Sequence, residues 1–538
     1  MTLSTLLDGT LEGRRPSDIV YISVATLVAA KVLADIFSDG FLLKRLNLAK
    51  WGVVRAVAAP IIQREVKKTA KMFKMPAKES EFKAKKLPEK ATTDENVLSI
   101  VHTLHKDLDK PYEMGSLSGA VYHGGASHTA LINRVMEVFQ WSNPLHCDVF
   151  GATRKMEAEV VSMVVHMFNG HFLPDACGTV TSGGTESILM AMKSYRGWGR
   201  ARRGIEHPSV VVGITAHPAF DKAAEYFGIT LIKIPVDPVT QRINAKEVEK
   251  YIKHNTVAIV GSAPTFPHGV VDPISELSEV ACRHEVGLHV DCCLGGFIVP
   301  FMEKAGFSAP IVDFCLPGVT TISCDTHKYG YAPKGTSTVL YRTRELRSFQ
   351  FCCVAEWPGG IYCSSAVSGS KPGNVIAGAW AAMVRMGEEG YVDNCRKIME
   401  TRMKITSALC KLPYISIIGD PTTSVFAFNS DYIDIYVLGD RLGERGWVLN
   451  RLQFPSGLQF SVTLLQTQEG VADRFIHDLT DIGDEMYGAV KQAEEEGRNI
   501  KRGETGATVY GLQQRLGDRS IVKDVLREFL NQYYSVDH

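Results

Sequence analysis

SVVVGITAHPAFDKAAEYFGITLIKIPV, residues 209–236, reads as a strand, a helix and a second strand. The flanking runs SVVVGIT (209–215) and TLIKIPV (230–236) are short, apolar and rich in β-branched residues. PAFDKAAEYFG (218–228) between them carries a helical pattern. Runs of the first kind recur at VAIVGSAP (257–264), GLHVD (287–291), TTISCD (320–325) and STVLYRT (337–343). Such strands, separated by helical stretches, build β-α-β units, so the sequence from about Ser99 onward predicts an α/β fold with a mostly parallel sheet. After about Tyr391 the pattern turns more helical, with strand-like pieces at ISIIG (415–419), SVFAFNS (424–430) and GLQFSVT (457–463). Those pieces predict a second, smaller α+β domain. KQAEEEGRNIKRGETG (491–506) is polar and reads as an exposed helix end and loop.

At 538 residues the chain is too long for one hydrophobic core. Its 45% apolar and 22% charged residues are ordinary for a globular protein. Lys and Arg together number 59 and so do Asp and Glu, a balance that gives no sign of a nucleic-acid partner. Nothing repeats at a fixed period, which excludes a solenoid or propeller. The 12 cysteines include neighbours at Cys292–Cys293 and Cys352–Cys353 but no C-x-x-C pair, so they read as reduced thiols and not as a zinc site.

Sheets of this kind place functional residues at the carboxyl ends of their strands. SCDTHKYGYAPKG (323–335) ends a strand and then clusters Asp325, His327 and Lys328. A lysine that forms a Schiff base must be deprotonated and fixed in direction, which suits a rigid, partly desolvated position. Asp291 ends the strand GLHVD 37 residues upstream, room for one β-α-β step. A carboxylate there could hold the ring nitrogen of pyridoxal phosphate (PLP) protonated, so that the ring acts as an electron sink. VTSGGTESILMAMKSY (180–195) is a strand end followed by Gly183, Gly184, Thr185 and a helical run, a phosphate cradle at a helix amino terminus. His217 lies where a strand gives way to a helix, and its ring could stack on the pyridine. Taken together and in this order, the four features predict a PLP enzyme with Lys328 as its anchor and no metal.

Residues 19–37, IVYISVATLVAAKVLADIF, are apolar apart from Lys31 and Asp35, and short of a fully apolar span of roughly 20 residues. A basic stretch from Lys44 to Lys90 follows, as expected on the cytoplasmic side of an anchor facing anionic lipid heads. Two readings fit: a membrane-anchoring helix, or an amphipathic helix packed on the catalytic body.

SGGTES, His217, HVD and DTHKYG, in that order, resemble the fold-type-I PLP enzymes of the group II decarboxylase branch. GSLSGAVYHGG (115–125), WSNPLHCDVF (141–150), HVDCCLGGF (289–297), DTHKYGYAPKG (325–335) and WPGGIYCSS (357–365) look like the sphingosine-1-phosphate lyase family within it. The resemblance runs from about Ser99 to the carboxyl end. It implies a large domain with a mostly parallel seven-stranded sheet, a smaller C-terminal α+β domain and an N-terminal membrane-anchor helix. The expected division is 1–60 for a luminal tail and candidate anchor with its basic flank, and 61–140 for a helical segment serving the dimer and active site. Residues 141–390 would form the PLP-binding domain and 391–538 the small domain.

The resemblance implies retro-aldol cleavage of a phosphorylated long-chain base to a long-chain aldehyde and phosphoethanolamine. Lys328 matches the Schiff-base lysine, Asp291 the partner of the pyridine nitrogen and His217 the stacking ring. Gly184, Thr185 and His327 match contacts to the PLP phosphate, and Asn143 should lie beside the cofactor. Tyr122, His146 and Lys334 match positions that hold the substrate phosphate. Tyr362 matches an active-site tyrosine, and Ser370 a residue reaching the partner subunit's PLP phosphate. A homodimer with active sites at the interface and a single-pass location in the endoplasmic reticulum membrane, catalytic body in the cytosol, are implied too. The rival is an amino-acid decarboxylase of the glutamate-decarboxylase type, which shares Lys328, Asp291 and His217 but needs an α-carboxylate pocket in place of a phosphate cluster.

Overall fold

The computed structural model describes residues 86–106, 113–497 and scattered positions between 523 and 534. The candidate anchor at 19–37 and the basic stretch up to residue 85 lie outside the described residues, as do residues 498–506 of the polar tail. No helix among the described residues is long and apolar enough to cross a membrane. The chain divides into two units, one of residues 1–108 and 509–538 and one of residues 109–508. In the first, helix α1 (Asp94–Lys106) starts where the hydroxyls of Thr92 and Thr93 accept hydrogen bonds from Asn96.

In the second unit, helices α2 (Ala126–Val138) and α3 (Gly151–Met167) precede the large sheet. Its seven strands are β1 (Cys177–Thr181), β2 (Ser209–Gly213), β3 (Thr230–Ile234), β4 (Thr256–Ser262), β5 (Gly287–Asp291), β6 (Val319–Cys324) and β7 (Ser337–Tyr341). They lie in the order β1-β7-β6-β5-β4-β2-β3. Neighbours from β3 across to β6 pair in parallel, and β7 runs antiparallel to both β6 and β1. Helix α4 (Gly184–Arg203) follows β1, α5 (Ala219–Phe227) follows β2, and α6 (Ile274–Arg283) follows β4.

The strands read as unbroken apolar runs because both faces of the sheet are covered. Along β2, Val210 and Val212 pack with Ile188, Leu189 and Met192 of α4. Val211, pointing the opposite way, joins the cluster of Ile274 and Leu277 from α6. That second cluster continues without a break into the small domain, through Phe426, Phe428, Phe460 and Phe475.

A two-stranded hairpin, β8 (Cys352–Val354) and β9 (Tyr362–Ser364), comes next. Helix α7 (Gly373–Leu409) then runs into the small domain, interrupted by non-helical backbone at Gly387. The small sheet, in the order β10-β11-β13-β12, is antiparallel: β10 (Ser416–Ile417), β11 (Val425–Asn429), β12 (Asn450–Leu452) and β13 (Gly457–Ser461). Helices α8 (Ile435–Glu444) and α9 (Val471–Glu495) complete it. The mostly parallel large sheet and the small α+β region are present as the sequence predicts. The hairpin strands and β12 are only three residues long each, and sequence reasoning did not reach them.

One feature of the register matters for function. Ser262, Asp291 and Ser323 are level across β4, β5 and β6, so the carboxyl ends of three central strands open onto one place.

Candidate active site

After β6 the chain turns through Asp325–Tyr331, with the Tyr331 amide bonded to the Lys328 carbonyl at 3.0 Å and the Ala332 amide to the Thr326 carbonyl at 3.0 Å. Two side chains from elsewhere and one of the turn's own pin it. Tyr391 donates to the Gly330 carbonyl at 2.8 Å, His128 contacts the Tyr331 carbonyl at 2.8 Å, and Tyr329 donates to the Val462 carbonyl at 2.7 Å. Lys328 therefore stands on a braced element. Its Nζ lies 2.8 Å from Asp325 Oδ2. Burial alone would lower the lysine's pKa, but the charge and hydrogen bond of Asp325, together with Cys293 and Tyr122, outweigh it and hold Lys328 above its ordinary value.

Asp291, at the end of β5, is buried and well supplied with donors. Its Oδ1 accepts from the Cys293 amide and the Ser323 hydroxyl, each at 3.0 Å. Burial pushes its carboxyl up, yet the nearby His217, the hydrogen bonds from Cys293, and His289 together win, holding it below the usual carboxylate range. An ionised, buried carboxylate suits a cationic ring nitrogen. His217 itself is exposed, with Nδ1 accepting from the Ala219 amide at 3.1 Å, so its ring is oriented and one face is free of protein.

The amino terminus of α4 faces the same place. A Cβ added at Gly184 would come within 2.7 Å of both Asp325 Oδ1 and Cys293 Sγ, so only glycine fits there. A Cβ at Gly183 would lie 3.7 Å from His327 Cε1. His327 Nδ1 donates to the Thr336 carbonyl, which turns Nε2 toward Asp325 Oδ2 at 3.8 Å. Glu186 ties the turn together: its two oxygens accept from the Ser182 amide at 2.6 Å and the Val367 amide at 2.8 Å. A braced lysine, an ionised carboxylate at the end of β5, an exposed ring and an amide-lined helix end with a histidine are the donor set PLP requires, so these residues fit that cofactor.

The outer residues fall into two groups. Lys334 Nζ stands 4.9 Å from the centre of the Tyr122 ring and 3.4 Å from the His327 carbonyl. Burial raises the Tyr122 phenol pKa, more than the Lys328 charge lowers it, so Tyr122 is a hydrogen-bond donor at neutral pH. On the other side, Asn143 Nδ2 donates to Ser370 Oγ at 3.1 Å and Asn143 Oδ1 accepts from the Lys371 amide at 3.1 Å. His146 is exposed, and among the described residues no hydrogen bond or ring contact joins it to Tyr122 or Lys334. Tyr362 is half-buried on the hairpin, its ring edge-on to Trp357.

Sequence reasoning gave no role to Glu186, His289, Cys293 or Ser323. His289 was visible in principle, since it stands two residues before Asp291 and so on the same side of β5. It is fully buried, with Nδ1 2.8 Å from Thr321 Oγ1 and Nε2 3.2 Å from the Ser323 hydroxyl that serves Asp291. Burial pulls its pKa down to about 4, and does the same to buried His268. Histidines kept neutral in the fold contribute stability that is whole above pH 6.5 and lost as pH falls toward 4, about 2 kcal/mol each by pH 5. Asp272 runs the other way, because burial raises it to about 6 and its folded form takes up a proton first. It returns about 1 kcal/mol over the same fall. The urea midpoint is thus expected to be lower at pH 5 than at pH 7, because the neutral histidines lose more than Asp272 returns. Equal midpoints at the two pH values would contradict this.

A family profile described as "Pyridoxal-dependent decarboxylase conserved domain" matches residues 76–430. The chain belongs to that family of PLP enzymes, and its cofactor is pyridoxal 5'-phosphate. Sphingosine-1-phosphate lyase 1 of Rattus norvegicus is 43% identical over 436 residues, 80% of this chain and 74% of that protein. Sphingosine-1-phosphate lyase of Dictyostelium discoideum is 37% identical over 535 residues, 98% of each. Within the PLP enzymes, then, the chain belongs to the sphingosine-1-phosphate lyase family. The structure of the Burkholderia pseudomallei K96243 sphingosine-1-phosphate lyase aligns with a TM-score of 0.73 at 40% identity, covering 77% of this chain and 95% of that one. A glutamate decarboxylase of Lactobacillus brevis shares the fold at a TM-score of 0.64 with 22% identity, covering 75% of this chain and 95% of that one.

Proposed function

We propose that the chain cleaves the C2–C3 bond of a phosphorylated long-chain base, sphingosine or dihydrosphingosine 1-phosphate, to a long-chain aldehyde and phosphoethanolamine. The observation that carries the reading is the cationic, hydrogen-bond-donating pair Lys334 and Tyr122 beside Lys328. A decarboxylase has no use for a phosphate-holding pair at that place.

Lys328 would hold the cofactor covalently, Asp291 its ring nitrogen, His217 its ring face, and Gly184, Thr185 and His327 its phosphate. When bound, PLP supplies the sink for the electrons of the broken carbon–carbon bond. Asp291 stays ionised and so keeps a proton on the ring nitrogen. Tyr122 and Lys334 fix the substrate phosphate, which sets the C2–C3 bond in register with the site. The C3 hydroxyl proton goes to a base, and C2 receives a proton afterwards; Tyr122, and Tyr362 of the partner subunit, would be the phenols that take part.

Lys334→Ala is expected to raise KM for the phosphorylated base about tenfold or more, about 1.4–3 kcal/mol, with kcat little changed. Lys334 is exposed, so the melting temperature should not move. A kcat loss at constant KM would contradict a phosphate-holding role.

Two further features belong to the same reading. A homodimer with active sites at the interface is supported by exposed apolar residues on the segments that carry Asn143 and Tyr362, notably Trp141 at 90% and Ile361 at 87% exposure. His146, Tyr362 and Ser370 would then meet the partner's site. Anchoring in the endoplasmic reticulum membrane through residues 19–37, with the catalytic body in the cytosol, is supported by the basic stretch that follows them.

Parallel assays with the 1-phosphate and the unphosphorylated long-chain base test the reading. Turnover of the first and not the second is expected. Equal turnover, or carbon dioxide released from an amino acid, would point to the decarboxylase instead.

A further inference from the structure

One charged group buried beside Lys328 has no part in the reaction as described. Asp325 is 3% exposed. Its Oδ2 is 2.8 Å from Lys328 Nζ, and its buried Oδ1 has no hydrogen-bond partner among the described residues. The carboxylate lies against Gly184 so closely that no side chain fits between them. A buried carboxylate with unmet lone pairs is costly unless a cation offsets it. His327 is not that cation, since its nearer nitrogen is 3.8 Å away and burial lowers its pKa. Lys328 is.

The geometry assigns Asp325 as the positioning residue of Lys328. Its carboxylate holds the ε-nitrogen as an aimed ammonium whenever the lysine is not joined to the cofactor, and favours the protonated nitrogen when it is. This rests on Lys328 being the PLP anchor.

The chemistry follows directly. Joining Lys328 to the cofactor's aldehyde forms a C–N bond and releases water, and it requires the neutral amine. The ammonium must first give its proton to solvent, and Asp325 opposes that loss. The other titratable groups around the nitrogen are the thiols of Cys293 and Cys324, the phenols of Tyr122 and Tyr329, His327 and Lys334. Burial raises the thiols and phenols, so they are neutral near pH 7 and Asp325 is the anion in contact.

The test mixes cofactor-free full-length protein with PLP and follows the visible absorption band as a function of pH, with no substrate present. Asp325→Asn keeps the shape and removes the charge; Asp325→Ser removes it with a smaller side chain, so misfolding of one leaves the other. Asp325→Glu restores the charge. In the two neutral variants the band should form at least tenfold faster near pH 7.5. In the loaded neutral variants it should also bleach at lower pH than in wild type. Asp325→Glu should stay close to wild type. Neutral variants that form the band with wild-type rate and pH profile would overturn the assignment while leaving PLP binding intact. A Glu variant shifted as far as Asn would overturn it as well. A wild-type protein that never forms the band would instead overturn the Lys328–PLP reading itself.

Discussion

Lys328→Ala is expected to abolish turnover, by about 10³-fold or more, and to remove the visible band that PLP gives with wild type. The loss is chemical in origin, because among the described residues no other amine stands on the braced turn beside Asp325. Lys334 is another lysine nearby, but its Nζ stands over the Tyr122 ring, 4.9 Å from the ring centre, whereas the Lys328 Nζ is the one 2.8 Å from the Asp325 carboxylate. The variant also leaves Asp325 buried without its cation, a cost of about 3 kcal/mol near neutral pH. A thermal melt must therefore accompany the assay, and Lys328→Ala with Asp325→Asn should recover much of the lost stability without recovering turnover. Measurable cleavage by Lys328→Ala protein would remove the lysine from the mechanism.

Asp291→Asn should lower kcat by about 10²–10³-fold, about 3–4 kcal/mol of barrier. Asparagine keeps an oxygen for the Cys293 amide and Ser323 hydroxyl, so folding should survive. What disappears is the negative charge that holds a proton on the ring nitrogen. The decisive readout is kcat together with PLP affinity, both of which should fall. A variant with wild-type kcat would show that the ring nitrogen's partner lies elsewhere.

Much of this was legible before any coordinates. β2, β4 and β5 could be read from Val210, Ile259 and Leu288 because burial on both faces makes a strand apolar throughout. Lys328, Asp291, His217 and Gly184 could be read because catalytic side chains gather where such strands end. The direction of β7 was also within reach. Only residues 325–336 separate it from β6, and these form the Lys328 turn, so no crossover helix can return the chain for parallel pairing. What stayed hidden depends on contacts between distant residues. Glu186 bridges Ser182 and Val367, 181 residues beyond it, and nothing in SGGTES announces that. The pairing of Asp325 with Lys328 is close in sequence, yet it needed the geometry of the turn to be seen. His146 is the case that neither sequence nor single chain settles by itself: its sequence neighbourhood matches the family, and its side chain is exposed within the single chain.

The most direct measurement is product identification with purified full-length protein, PLP and dihydrosphingosine 1-phosphate. One phosphoethanolamine for each long-chain aldehyde is the predicted result. Release of carbon dioxide from amino acids, with the phosphorylated base left intact, would contradict it.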